Sequence, residues 1–318
     1  MEELINGKRF LVTGAGGFVG SNLVAALLSN GAREVKALDR HSNSLRRLKG
    51  AVPVHYELGS QKDPAQASIL RASLEDVDYL FHLAAEKHTN TPKPAERYFD
   101  ANISGTNELL VAAVDAGVRK VVFTSSLYAN GRTDPPASRE EDLPHPFTVY
   151  GISKLCGEHL MSFFARESKL RVCSLRLYFT YGPGQSQTMG YESVITKTFR
   201  RLQGGYQPVV YGDGMQALDY VYISDVVRAL MAAISPSADG TLLNVCSGQA
   251  VRVIDLIRTM ISVAKPELAS IEHAAADWTA GTWRCGDNSS IKRVLNWEPL
   301  VGLREGLEHT WRWLECNK

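Results

Sequence analysis

The sequence predicts an α/β fold, a doubly wound parallel sheet followed by a smaller C-terminal domain. Three observations predict it. Short apolar runs alternate with helical patterns through the first half, the first run leads straight into a glycine-rich turn, and the second half loses the regular alternation. Strand, helix, strand at this spacing reads as βαβ units on a sheet covered on both faces. The 318 residues agree, being about two lengths of a ~150-residue domain.

Taken in order, the strands expected in the first domain are Phe10–Val12, Val35–Leu38, Val52–Leu58, Val77–His82, Val121–Thr124 and Leu170–Leu175. Between the first two, Val19, Leu23, Ala26 and Leu27 recur at helical spacing. A helix is expected from Tyr150 to about Arg166, a late strand at Leu242–Val245 and a further helix near Val253–Ala264. The first domain is assigned residues 1–177, with the late strand near 241–247 returning to it, and the second residues 178–318. No repeat or low-complexity linker separates them, so close packing is expected.

Composition narrows the function. Hydrophobic residues are 44% and charged residues 22%, as in an ordinary globular protein, and 35 Lys plus Arg against 34 Asp plus Glu leave a net charge of +1. That balance offers nothing to nucleic acid or to a membrane surface. The N-terminus starts acidic, without the basic start and long apolar run of a leader, and no run approaches the ~20 apolar residues of a membrane span. The five cysteines (Cys156, Cys173, Cys246, Cys285, Cys316) are odd in number and widely spaced, which favours a reducing cytosol. His41, His55, His145, His159, His273 and His309 show no metal-ligand spacing, so no metal is expected. All five tryptophans (Trp278, Trp283, Trp297, Trp311, Trp313) lie in the last 41 residues, a texture that marks the second domain.

Directly after the first strand come Gly14, Gly17 and Gly20 in a Gly-x-x-Gly-x-x-Gly pattern that opens the first helix. Glycines permit a tight turn and close approach to a pyrophosphate, and a helix N-terminus offers unpaired N–H groups. Asp39 follows 19 residues after Gly20, at the end of the second strand. A carboxylate there accepts from the adenosine ribose and repels a 2′-phosphate, favouring NAD over NADP, although Arg40 beside it keeps NADP in play. Tyr150 and Lys154 stand at i and i+4 of one helix, on one face. A nearby cation favours phenolate, so Lys154 is expected to lower the Tyr150 pKa. Ser125-Ser126 ends the Val121–Thr124 strand, at the sheet edge where parallel strands host ligands.

With these motifs the sequence resembles the extended short-chain dehydrogenases/reductases, specifically the nucleotide-sugar epimerases and dehydratases. Further matches are His82-Leu83-Ala84-Ala85, Asn102-Ile103-Ser104-Gly105-Thr106, Tyr181-Gly182-Pro183-Gly184, Asp219-Tyr220-Val221-Tyr222 and Leu295-Asn296-Trp297, in the family's order over nearly the whole chain. The resemblance implies a Rossmann domain followed by a nucleotide-sugar-binding domain, a UDP-sugar as the favoured substrate, NAD as a retained catalyst, and a homodimer through the helices starting near Ile103 and Tyr150. It implies Ser126, Tyr150 and Lys154 as the catalytic trio. Carried over, the cofactor positions are Gly14, Gly17, Phe18, Val19, Gly20, Asp39, Arg40, Leu58, Leu83, Ala84, Ala85, Lys87, Asn102, Thr124, Ser125, Tyr150, Lys154, Tyr178 and Thr180. The substrate positions are Glu86, His88, Ser126, Phe179, Val194, Lys197, Tyr211, Gln216, Leu218 and Arg284.

Departures from the pattern separate the family's reactions. The common 4,6-dehydratases carry Asp-Glu after the hydroxyl residue; Leu127 and Tyr128 stand there in this chain. Leucine moves no proton, whereas a phenol of pKa ~10 does. Ala84-Ala85-Glu86-x-His88 resembles the dehydratase branch, and Lys87 occupies the place of an epimerase lysine. Phe179, Leu218 and Gly59 replace residues that usually hold the nucleotide or the adenine. The combination is similar to the UDP-N-acetylglucosamine 5,6-dehydratases of tunicamycin-type antibiotic biosynthesis. The expected reaction is therefore dehydration across C5–C6, with Tyr128 assisting and Cys156 as a second proton carrier. The alternatives are a UDP-sugar 4-epimerase and a non-catalytic NAD-binding module.

Overall fold

The computed structural model describes residues 2–59, 63–87, 93–131, 137–185, 192–265, 267, 270–277 and 279–317. Among the described residues thirteen strands run in chain order: β1 (Arg9–Thr13), β2 (Glu34–Asp39), β3 (Val52–His55), β4 (Tyr79–His82), β5 (Lys120–Ser126), β6 (Arg171–Leu177), β7 (Phe179–Tyr181), β8 (Val209–Tyr211), β9 (Ala217–Tyr222), β10 (Thr241–Val245), β11 (Ala250–Arg252), β12 (Glu272–Ala274) and β13 (Trp283–Arg284). Seven form one parallel sheet in the order β10-β6-β5-β4-β1-β2-β3. β10 thus returns from the second half to pair with β6, Leu242 facing Ser174 and Val245 facing Leu177.

Alternation along β1 explains why the sheet is covered on both sides. Phe10 and Val12 pack in one core cluster, Leu11 in the other, as period-2 side chains must. The first cluster runs on through Phe199, Tyr220, Val245 and Trp311 without a break, so the second half shares the core of the first. Strand ends moved where pairing or a turn decided them. β5 and β6 extend to Ser126 and Leu177 because those residues pair with each other. β4 starts only at Tyr79, since Asp76 turns with φ +59° and the Val77 N–H bonds back to Leu74. β3 stops at His55, on the sheet edge.

β9 carries the smaller sheet: β11 lies antiparallel on one side and β13 parallel on the other, and β7 also pairs with it in parallel. The buried Asp219 carboxylate fastens this unit, accepting from the N–H groups of Ser247 (2.7 Å), Gly248 (3.0 Å) and Gly286 (3.3 Å). Two of the tryptophans are packing residues here. Trp297 donates to the Asp225 carbonyl at 3.0 Å, and Trp311 lies 5.3 Å from Phe199 between ring centres. Trp283 is half-buried in β13; Trp278 lies outside the described residues.

Candidate active site

A cavity of about 2030 Å³ runs from the glycine turn across the C-terminal ends of β1, β4 and β5 to β7, β8 and β9. It is the crevice that parallel strands leave at their carboxyl ends. One arm is built by the turn after β1. Gly14 adopts φ +67°, and a Cβ there would meet the Ala84 nitrogen at 2.8 Å; a Cβ on Gly20 would meet the Gly14 oxygen at 2.2 Å. Only hydrogen fits at either position, which lets the helix Phe18–Ser29 start against the strand edge. Its N-cap, Gly17, makes no side-chain cap bond, so the first-turn N–H groups are left to a ligand. Asp39 closes the arm; its carboxylate accepts from Gly16 N–H at 3.0 Å and His41 N–H at 2.9 Å and lines the cavity. A backbone cradle with a ribose-level carboxylate fits NAD.

Phe18, Val19, Leu58, Leu83, Ala84, Ala85, Lys87, Thr124, Ser125, Tyr178 and Thr180 also line this cavity. Asn102 does not. It sits in a π-helical turn, Phe99–Ser104, accepts from the Glu86 N–H (2.7 Å), donates to the Glu86 carbonyl (2.9 Å) and donates to Ser153 Oγ (2.9 Å). It braces the loop behind the site, because its amide satisfies the buried backbone there. Ser125 turns its hydroxyl away from the cavity, onto Glu158, whose carboxylate is gripped by both Nε and Nη2 of Arg176 at 2.8 Å.

Ser126, Tyr150 and Lys154 meet on the cavity wall. Thr148 caps the helix Val149–Glu167 by accepting from the Gly151 N–H, and this helix projects Tyr150 and Lys154 to one side. Lys154 Nζ donates to the Thr124 carbonyl at 2.7 Å and lies 4.7 Å over the Phe123 ring and 6.0 Å from the Tyr150 ring centre. The expected drop in the Tyr150 pKa is not found. Burial pushes the phenol up to about 12, with a hydrogen bond to Ser126 pulling the other way. Burial also pulls Lys154 down to about 7 against the Glu158 charge, so the ammonium that was to stabilise a phenolate is itself disfavoured. His82 is held neutral, burial and the Lys154 charge taking it to about 3, and its ring bridges the Thr13 and Thr106 hydroxyls.

The other arm holds Phe179, Val194, Lys197, Tyr211, Gln216 and Leu218, all lining the cavity. Lys197 donates to the Tyr211 hydroxyl at 2.8 Å. Three expectations change. Arg284 does not line the cavity; β13 places its guanidinium 5.0 Å over the Tyr128 ring and 5.9 Å from that of Phe147. Cys156 does not line it either, because two residues beyond Lys154 a helix has turned by about 200°. Glu86 lines it, but the carboxylate is engaged with Arg40 and Lys93 near the Asp39 end instead of a sugar. His88 lies outside the described residues. Tyr128 lines the cavity, its ring edge-on to Tyr150 at 5.9 Å.

Sequence reading missed the cations and carboxylates that come from distant segments: Glu57, Lys93, Glu192, Arg200, Arg201 and Asp277 all reach the cavity. None carries a local motif. Among the described residues, no group of three or more His, Cys, Asp or Glu is arranged to hold a metal, and no helix is long and apolar enough to cross a membrane.

Comparison with known proteins agrees with this geometry. The NAD dependent epimerase/dehydratase family matches residues 10–246. The UDP-glucose 4-epimerase of Mycolicibacterium smegmatis is 32% identical, covering 95% of this chain and 97% of its own. The dTDP-glucose 4,6-dehydratase of Streptomyces griseus is 28% identical, covering 97% and 94%. Among solved structures, MoeE5 in complex with UDP-glucuronic acid and NAD superposes with a TM-score of 0.84 at 32% identity, covering 98% of this chain and 100% of that one.

Proposed function

The chain belongs to the NAD dependent epimerase/dehydratase family, and from that premise we propose that it is an NAD-retaining 4-epimerase of a UDP-hexose. One observation carries the choice. Leu127 and Tyr128, the two residues after Ser126, both line the cavity, with the Tyr128 ring against Tyr150, so no carboxylate stands at either position. Water loss across C5–C6 needs one group to take the C5 proton and another to protonate the departing hydroxyl. With Cys156 outside the cavity, the expected second carrier is gone. Epimerisation needs only one acid–base group, which reverses the order in which the sequence ranked the two reactions.

Tyr150 takes the 4-hydroxyl proton and later gives one back, Ser126 holds the substrate oxygen against it, and Lys154 lies beneath the pair. NAD, when bound, supplies the hydride acceptor and donor at C4. Burial disfavours a phenolate or an ammonium alone, so the phenol keeps its proton until a charged neighbour offsets the cost. Lys197 and Tyr211 are positioned to meet the anionic nucleotide end.

A second reading, the 5,6-dehydratase of a UDP-hexosamine, rests on Tyr128 as that extra proton carrier, 5.9 Å from Tyr150. Incubation with UDP-glucose and UDP-N-acetylglucosamine, followed by NMR and mass spectrometry, separates the two. Unchanged mass with a changed H4 coupling supports epimerisation; loss of one water with vinyl signals supports the second reading, and Tyr128→Phe then abolishes it. Inertness of NAD-loaded protein towards both supports a binding module. For assembly we propose a cytosolic homodimer through the exposed Phe99, Val111, Ile152 and Phe163, which lie on the helical segments Phe99–Ser104, Gly105–Asp115 and Val149–Glu167.

A further inference from the structure

Arg40 follows the ribose-level Asp39 directly and lines the same cavity. An arginine next to this position is the group that accommodates a 2′-phosphate in NADP enzymes. In this chain the guanidinium is already engaged. Nη1 lies 2.9 Å from Glu86 Oε2 and 3.6 Å from Glu57 Oε1, Nε donates to His41 Nε2 at 3.2 Å, and the Arg40 carbonyl bonds with His55 Nε2 at 2.9 Å.

Glu86 is not free to follow a ligand. Its side chain is 2% exposed, and the Asn102 amide holds both its N–H and its carbonyl. Its carboxylate also pairs with Lys93, and Arg97 lies 4.0 Å away. Despite burial, which acts the other way, Lys93 and Arg40 hold it below the usual carboxylate range, so it stays ionised. Lys93 alone would neutralise one carboxylate. The Arg40 contact is therefore more than this buried charge requires, and it removes a cation from beside the adenosine ribose.

We infer that Glu86 is a cofactor-specificity residue, which keeps Arg40 from a 2′-phosphate and so makes the chain selective for NAD beyond the effect of Asp39. The inference rests on NAD as cofactor and not on which sugar reaction follows. It is tested by calorimetric titration of NAD⁺ and NADP⁺ into nucleotide-free enzyme. In Asp39→Ser the repelling carboxylate is gone but Arg40 is still held, so NADP⁺ should remain weak. Adding Glu86→Gln should tighten NADP⁺ by about tenfold, the worth of one released charge-assisted pair. Adding Arg40→Leu should abolish that gain. Glu86→Gln alone should improve NADP⁺ by about threefold while Asp39 still opposes it, and melting curves confirm that each variant is folded. Equal NADP⁺ affinity with and without Glu86, or a gain that survives Arg40→Leu, overturns the inference.

Discussion

The two arms of the cavity are built in opposite ways. The cofactor arm is short in sequence: one turn, Gly14–Gly20, and the end of the neighbouring strand, Asp39, supply its backbone cradle and carboxylate. The substrate arm takes Phe179 from β7, Tyr211 from β8, Leu218 from β9 and Lys197 from the helix Val194–Gln203. The first is shaped by backbone geometry, which tolerates no side chain at Gly14 or Gly20. The second is lined by side chains from four elements, and side chains are easily exchanged. A cofactor shared across a family and a substrate that varies within it match that division.

The largest expected effect lies where the arms meet. Tyr150→Phe should lower kcat by about 10³-fold, within the range for losing a general acid–base group, while NAD binding measured by calorimetry changes little. Retained turnover would move the chemistry away from Tyr150. Next comes the cofactor arm. In Gly20→Ala the new Cβ would lie 2.2 Å from the Gly14 oxygen, so NAD affinity should fall by about 100-fold and the melting temperature should drop, since backbone must shift to admit it.

The substrate arm should respond more gently, and in the opposite sense. Leu218→Arg adds a cation to a cavity wall whose other nearby residues include Phe179 and Tyr220. UDP binding should tighten by about tenfold, the scale of one charge-assisted contact. Weaker binding would show that the nucleotide runs elsewhere than past β9. The smallest effect is on stability. Lys154 falls from 10.5 to about 7 on folding, so between those values the unfolded chain binds more protons and this group makes stability rise with pH. Lys154→Met removes that slope. The variant should melt several degrees higher than the parent near pH 7, the two converging towards pH 10.5 in thermal melts, although its activity is lost.

Much of the fold was legible because its signals are local. Seven strands and the helices Val149–Glu167 and Val253–Ala264 followed from apolar periodicity, and the phosphate turn from glycine spacing between a strand and a helix. The trio was legible by motif, and its residues do converge. The charge state of that trio was not. An i, i+4 cation reads as activating, yet burial of both groups, invisible in spacing, overrides the pairing. Cys156 was misplaced for a simpler reason, helical phase. Asn102 was assigned by motif to the cofactor and turned out to brace Glu86 and Ser153.

The sequence by itself determined the strand and helix periods, the glycine turn before the first long helix and the i, i+4 spacing of Tyr150 and Lys154, because each depends on neighbours within about one turn or one strand. Tertiary structure decided everything that depends on contacts between distant residues. Examples are the pairing of Arg40 with Glu86 across 46 positions, the guanidinium of Arg284 over Tyr128, and the neutral-leaning Tyr150 and Lys154. Periodicity and turn chemistry act along the chain, whereas strand pairing, burial and Coulombic contacts act through space, and only the folded chain defines that space.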